Sequence, residues 1–314
     1  MRIIKPKKLN KGDVIGIISP SSPVDDLIKL DSSVCYFENQ GYRVETGINT
    51  RKRNGYLAGT DKERVDDIHK MFSDKEIKMI ICLRGGYGAG RLLDKIDYNI
   101  VKNNPKIFCG YSDITVLQNA FLRKTGLVTF AGPMAGVDFC NEVSRFTEEN
   151  FWHTVTNNEP VKVNYPGKET LNSLHKGISE GRLIGGNLSL LSSLTGLKYL
   201  PDPRGKILLL EEVGEVPYRI DRMLNQMKLS GYLNSVEGIL LGGFTDCEDL
   251  DPGSKSLTLA DVMNEYFGKS FAAPVLINFS HGHLKDNLTV PIGIKIRLNG
   301  NNNSIDFLES HFTQ

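Results

Sequence analysis

The chain has 314 residues, 40% of them hydrophobic and 24% charged, enough for one large domain or two ordinary ones without disulfides or a structural metal to hold a core. Its 38 basic and 37 acidic residues leave a formal net charge of +1, which gives no electrostatic reason to expect nucleic acid or an anionic membrane as partner. No apolar run approaches the roughly 20 residues of a membrane span, no signal-peptide pattern follows the basic start Met1–Lys8, and the five cysteines form no CxxC pair. A cytoplasmic protein with reduced thiols is expected.

In chain order, Val14–Ile18 reads as a buried strand ended by Ser19-Pro20-Ser21-Ser22-Pro23, followed by a helix over Asp25–Asn39 and a short strand at Arg43–Glu45. Thr60 with Glu63 three residues later predicts a capping box opening a helix to Phe72. Met79–Leu83 and Lys106–Gly110 are further buried strands, each followed by a turn and helical spacing. Such repeated units predict an open, mainly parallel α/β domain over 1–160. Residues 161–177, with Pro166 and Gly167, read as a linker, and 178–314 as a strand-rich α+β domain. Its predicted strands are Gly181–Ile184, Lys206–Leu210, Gly238–Leu241, Pro274–Ile277, Thr289–Pro291 and Lys295–Leu298. Pro217 opens a helix carrying Ile220, Met223, Leu224 and Met227 on one face, and Gly300–Asn303 suggests a hairpin to Ser304–Phe307.

Three places suit chemistry. Ser112 falls at a strand-to-helix turn near the carboxyl end of a parallel strand, where backbone N–H groups and a helix dipole favour a developing oxyanion. The same position suits an ordinary N-cap, and Ile114 stands where the hydrolase elbow has its last glycine. The loop Arg84-Gly85-Gly86-Tyr87-Gly88-Ala89-Gly90-Arg91 matches neither the dinucleotide nor the P-loop pattern, because Arg91 occupies a defining position in both. It suits a tight turn alone, or an oxyanion-hole or carboxylate loop with Arg84 as a bidentate clamp. Glu211 ends the apolar run Ile207–Leu210, with Glu212 and Glu215 close by and Glu215 four residues before Arg219. His281 and His283 follow a strand; nothing nearby completes a zinc signature. Spacing alone does not assemble Ser, Glu and His into a relay.

Together these runs resemble the LD-carboxypeptidase family of serine peptidases, the murein tetrapeptide carboxypeptidases. The similarity spans nearly the whole chain: Gly12-Asp13-Val14 with Ser19–Pro23, Arg84–Gly90, Gly110–Thr115, Thr129–Met134, Gly185–Leu188, Leu210–Glu215 with Pro217–Arg219, and Gly282-His283 ahead of Leu288–Gly293. The resemblance implies that Ser112 is the nucleophile, Glu211 the relay carboxylate and His283 the base, leaving His281 aside. It implies an oxyanion hole at the backbone N–H groups of Asp113 and of Gly86, with Gly85 as the alternative glycine. Arg84, Gly85 and Tyr111 are candidate substrate contacts. The implied fold places the active site in the cleft between an α/β and a strand-rich domain. The implied reaction is release of the terminal D-alanine from a muropeptide in cell-wall recycling by a homodimer, with no cofactor or metal. Two alternatives are carried. The microcin C self-immunity peptidases are relatives that cleave aminoacyl-nucleotide amides, and their relay segment departs from the Glu211–Arg219 run. A non-catalytic peptide-binding relative is the other, against which the presence of Ser112, Glu211 and His283 argues.

Overall fold

In a computed structural model, residues 2–161, 170–249, 251, 255–268 and 271–313 are described. They form two sheets. The first contains β1 (Val14–Ile18), β2 (Arg43–Thr46), β3 (Ile77–Cys82), β4 (Ile107–Gly110), β5 (Thr129–Ala131) and β11 (Val290–Ile292), in the order β11-β5-β4-β3-β1-β2. Every neighbouring pair from β2 to β5 is parallel. β1 is buried along its whole length between β2 and β3, with α2 packed against it, and accordingly reads as an apolar run interrupted only by Gly16 rather than as alternation. The chain leaves β1 for one edge and returns through β3 toward the other. Loops after β1, β3 and β4 therefore converge at the crevice where such sheets bind ligands.

The second sheet contains β6 (Asn172–His175), β7 (Ile178–Asn187), β8 (Lys206–Val213), β9 (Gly238–Thr245), β10 (Val275–Ile277), β12 (Lys295–Asn299) and β13 (Ser304–Phe307), ordered β13-β12-β7-β8-β9-β10-β6. β7 to β10 are parallel, and antiparallel strands close both edges. Four parallel strands thus form the centre of what the sequence presents simply as strand-rich.

Helices α1 (Ile28–Asn39) and α2 (Asp61–Ser73) belong to the first half, and α2 starts at the predicted Thr60–Glu63 capping box with both hydrogen bonds made. α1 begins three residues later than predicted, where Asp26 accepts from Ile28 N–H in a turn. After α3 (Tyr98–Asn103), α4 (Thr115–Thr125) ends at Gly126 in the left-handed conformation, and α5 (Arg145–Thr156) follows. In the second half α6 (Leu188–Leu194) and α7 (Pro217–Leu229) precede α8 (Leu259–Phe267), and α7 buries Ile220, Leu224 and Met227 with Pro217 in its first turn. No helix among the described residues is long and apolar enough to cross a membrane.

Residues 162–169, about half of the expected linker, lie outside the described residues, and Asn172–His175 within it pairs with β10 as an edge strand. A second difference concerns β11. It falls in the sequence among the strands of the second half, yet it pairs antiparallel with β5 and covers the open edge of the first sheet. Residues 278–289 therefore run from the second sheet to the first.

Candidate active site

β4 delivers Ser112 into a single 3₁₀ turn, Ser112–Ile114, that leads directly into α4. Ser112 has φ +62°, a left-handed conformation that costs a non-glycine residue on the order of 1–2 kcal/mol. Its hydroxyl caps neither the turn nor α4. The ordinary N-cap role is therefore absent, and the strained turn holds the side chain out from the strand end.

The glycine-rich loop lies against this turn. A Cβ on Gly85 would stand 3.0 Å from Ser112 Oγ and 3.3 Å from Asp113 N, so only glycine lets the loop approach the serine this closely. Gly86 has φ +103°, and a Cβ there would collide with Ser22. Ser22 N–H donates to Gly85 O at 3.3 Å, which in a trans peptide turns the Gly86 N–H away from Ser22. Half-buried Arg84 donates to Pro23 O at 3.2 Å.

Glu211 lies on β8 of the second sheet, and His283 on the connection that leaves that sheet after β10. The β8–β9 register shifts between Leu210 and Glu212, so Glu211 sits at an irregularity of the kind that redirects a side chain. Glu211 is 1% exposed, and its Oε2 meets His283 Nδ1 at 2.8 Å. Its Oε1 is buried with no hydrogen-bond partner. With Nδ1–H donated to Glu211, His283 presents Nε2 as its basic nitrogen. Burial opposes a charged imidazole at His283, yet the hydrogen bond and charge of Glu211, with Glu212 and Asp138 further off, outweigh it and raise its pKa. Gly282, at φ +120°, packs on Glu211, where a Cβ would stand 2.8 Å from Oε2.

The two halves meet at defined contacts. The Tyr111 ring lies edge-on to the His283 ring, with centroids 5.0 Å apart, placing that imidazole beside the residue that precedes Ser112. One turn of α4 docks on the end of β7: Thr115 Oγ1 accepts from Asn187 N, and Asn119 exchanges hydrogen bonds with both backbone groups of Gly185. Asn187 is in turn paired in register with Glu211. The His283 loop is fastened by Leu288 N–H to Ser280 O, Gly282 N–H to Asn287 Oδ1, and Thr245 Oγ1–H to His283 O.

The other candidates separate cleanly. Glu212 accepts from Asn187 Nδ2, Ser189 N and Val213 N, so its carboxylate anchors α6 to β8. Glu215 pairs with Arg219 at 3.4 Å. His281 is fully buried, donates to Leu288 O at 2.9 Å, and is kept neutral chiefly by burial. No group of three or more His, Cys, Asp or Glu among the described residues is arranged to hold a metal ion.

Two residues at the site carry no sequence signal of their own, and a third only a weak one. Asp138 accepts from Met134 N at 2.7 Å, and burial pushes its pKa up to about 6 against the opposing charge of His283. Arg64, from α2, braces the glycine-rich loop at Gly88 O and the loop after β1 at Pro20 O, and Ser21, in the latter loop, donates to Asp113 Oδ2. The Ser-Pro-Ser-Ser-Pro run was the only hint of the last.

The chain is similar to known proteins over nearly its whole length. A family model described as the LD-carboxypeptidase N-terminal domain matches residues 15–132, and one described as its C-terminal domain matches 180–298. A protein named probable murein peptide carboxypeptidase, from Bacillus subtilis, is 43% identical over 94% of this chain and 91% of its own. Among solved structures, an MccF-like protein from Bacillus anthracis superposes with TM-score 0.87 at 30% identity, covering 98% of this chain and 99% of that one. A muramoyltetrapeptide carboxypeptidase from Oxalobacter formigenes gives 0.83 at 32%, covering 93% and 97%. Two matched domains and near-complete coverage make this chain a member of the LD-carboxypeptidase family.

Proposed function

We propose that the protein is a serine LD-carboxypeptidase that removes the terminal D-alanine from murein tetrapeptides in the cytoplasm during wall recycling. The observation that carries this reading is the 2.8 Å Glu211–His283 hydrogen bond, standing through Tyr111 beside the uncapped, left-handed Ser112.

In this reading Ser112 Oγ attacks the carbonyl carbon joining the L-configured centre to D-alanine, and His283 Nε2 takes the hydroxyl proton. Glu211 remains ionised and stabilises the imidazolium. The oxyanion is received by the N–H groups of Asp113 and Gly86. The C–N bond breaks as His283 returns its proton to the departing amine, leaving an acyl ester on Ser112. Water, deprotonated by His283, then hydrolyses the ester and restores the serine. Arg84 is the proposed partner of the substrate carboxylate, with Gly85 and Tyr111 forming the walls beside the scissile bond. Loss of one alanine from a disaccharide-free tetrapeptide, read by mass spectrometry, is the expected result; an intact tetrapeptide across a range of pH would contradict it. A homodimer belongs to the same proposal, and light scattering on the eluting protein should read about twice the monomer mass.

The likeness to an MccF-like structure favours one second reading, cleavage of an aminoacyl-nucleotide amide by the same residues. Hydrolysis of aminoacyl-sulfamoyl adenosine with none of muropeptides would establish it. The uninterrupted Glu211–Arg219 run supports the wall-peptide reading instead.

A further inference from the structure

The peptide unit between Gly88 and Ala89 is held at both of its polar ends by buried, oppositely charged side chains. Arg64 Nη1 donates to Gly88 O at 2.9 Å, and Asp113 Oδ2 accepts from Ala89 N at 2.8 Å. The same two atoms also reach the loop after β1: Arg64 Nη1 donates to Pro20 O at 2.5 Å, and Asp113 Oδ2 accepts from Ser21 Oγ at 2.6 Å. Both residues are 1% exposed. Burying a guanidinium and a carboxylate is expensive unless each is paired, and charge-assisted hydrogen bonds are the strong kind. Here much of that pairing goes to the backbone and hydroxyl groups of two loops, while Asp61 neutralises the other side of Arg64 at 2.6 Å.

We propose that Arg64 and Asp113 form a charge clamp that pre-organises the oxyanion hole, acting as positioning residues for the reaction. The inference rests on the nucleophile and oxyanion-hole assignment above. Asp113 occupies both ends of the coupling. Its backbone N–H is one proposed oxyanion donor, and its side chain fixes the loop that supplies the other. The loop is pinned upstream by Ser22, at Gly85 O and Tyr87 N, and downstream by the clamp, at Gly88 O and Ala89 N. Gly86 lies inside that span at φ +103°. Fixing both ends holds its N–H before the substrate arrives, so no reorganisation is needed as charge develops. A helix position such as 64 ordinarily presents arginine to solvent. Burial at the loop junction gives this one a role that periodicity alone does not reveal.

The test compares Asp113→Asn, Ser21→Ala, Arg64→Met and Arg64→Lys with wild type, after active-site titration counts the competent fraction. The clamp predicts that kcat per titrated site falls about 10- to 100-fold in Asp113→Asn and Arg64→Met, less than loss of a whole oxyanion donor, while KM stays within about twofold. Arg64→Lys, which keeps a donor, should fall between wild type and Arg64→Met, and Ser21→Ala should lose the least. Affinity for a peptide boronic acid, which mimics the oxyanion, should weaken in proportion to kcat. If Arg64→Met does not fold, Asp113→Asn and Ser21→Ala decide the matter. Wild-type kcat and boronate affinity per titrated site in folded Asp113→Asn and Arg64→Lys would overturn the clamp. Wild-type activity in Ser112→Ala would overturn the nucleophile assignment beneath it, a separable outcome.

Discussion

The loops around Ser112 and the side-chain pair Glu211–His283 are held in different ways. On the first sheet, backbone and side chains are tied redundantly: Asp113 to Ser21 and Ala89, Arg64 to Pro20 and Gly88, Ser22 to the glycine-rich loop. On the second, the proposed relay pair has one hydrogen bond between its members, and one oxygen of its buried carboxylate has no partner. The contrast recurs between adjacent residues of β8. Glu212 is satisfied by three N–H donors, whereas the Glu211 carboxylate has a single hydrogen bond, to His283. Groups proposed to present fixed donors are over-determined, and the carboxylate proposed to orient the base is left free to respond to it. Full satisfaction of Glu211 by fixed donors would weaken its hold on His283.

The largest effects should come from the reacting groups. Ser112→Ala, His283→Ala and Glu211→Gln are each expected to lower kcat by about 10³-fold or more while leaving the unfolding transition cooperative. Steady-state hydrolysis with calorimetry on the same samples checks this. Glu212→Gln should do the reverse, costing about 1–3 kcal/mol of stability because three N–H groups then face an amide, while kcat per folded molecule falls less than about tenfold. Equal loss of activity in the two glutamine variants would erase the contrast drawn along β8.

A pH profile sharpens the comparison further. Catalysis requires neutral His283, and its pKa lies above the ordinary 6.5, so kcat/KM should fall on the acid side through a value higher than 6.5. Removing the Glu211 charge leaves burial, which lowers the pKa, as the main influence. The acid limb of Glu211→Gln should therefore move to lower pH, measured on whatever activity remains. The smallest expected effect tests the strained turn. Ser112→Gly should be more stable than Ser112→Ala by about 1 kcal/mol, since glycine alone is unstrained at φ +62°, and both should be inactive.

Much of this architecture is legible in the sequence because local rules coincide with the fold. β1, the Thr60 capping box, α7 and the turn at Ser112 all lie where patterning places them. β11 lies within one residue of its predicted strand, but the sheet it joins is not legible, because a short strand containing Pro291 says nothing about which edge it will cover. α8 is absent from the predicted elements although Thr258 and Asp261 form a capping box, a weaker signal than one closed by Glu or Gln. At the site, residue types and strand ends point to Ser112 and Glu211, but the pairing of Glu211 rather than Glu212 with His283 depends on a register shift in β8. Arg64 is hidden for a related reason: a charged helix residue reads as solvated until the loops it braces are in place.

The central claim is that a serine on one sheet is activated by a histidine held on the other. The most direct measurement is the rate of phosphonylation by a fluorophosphonate, with the adduct located by peptide mass spectrometry. The account predicts a single adduct on Ser112, formed by wild type, slowed at least about 100-fold in His283→Ala and absent in Ser112→Ala. Labelling at another residue, or an undiminished rate at Ser112 without His283, would contradict it.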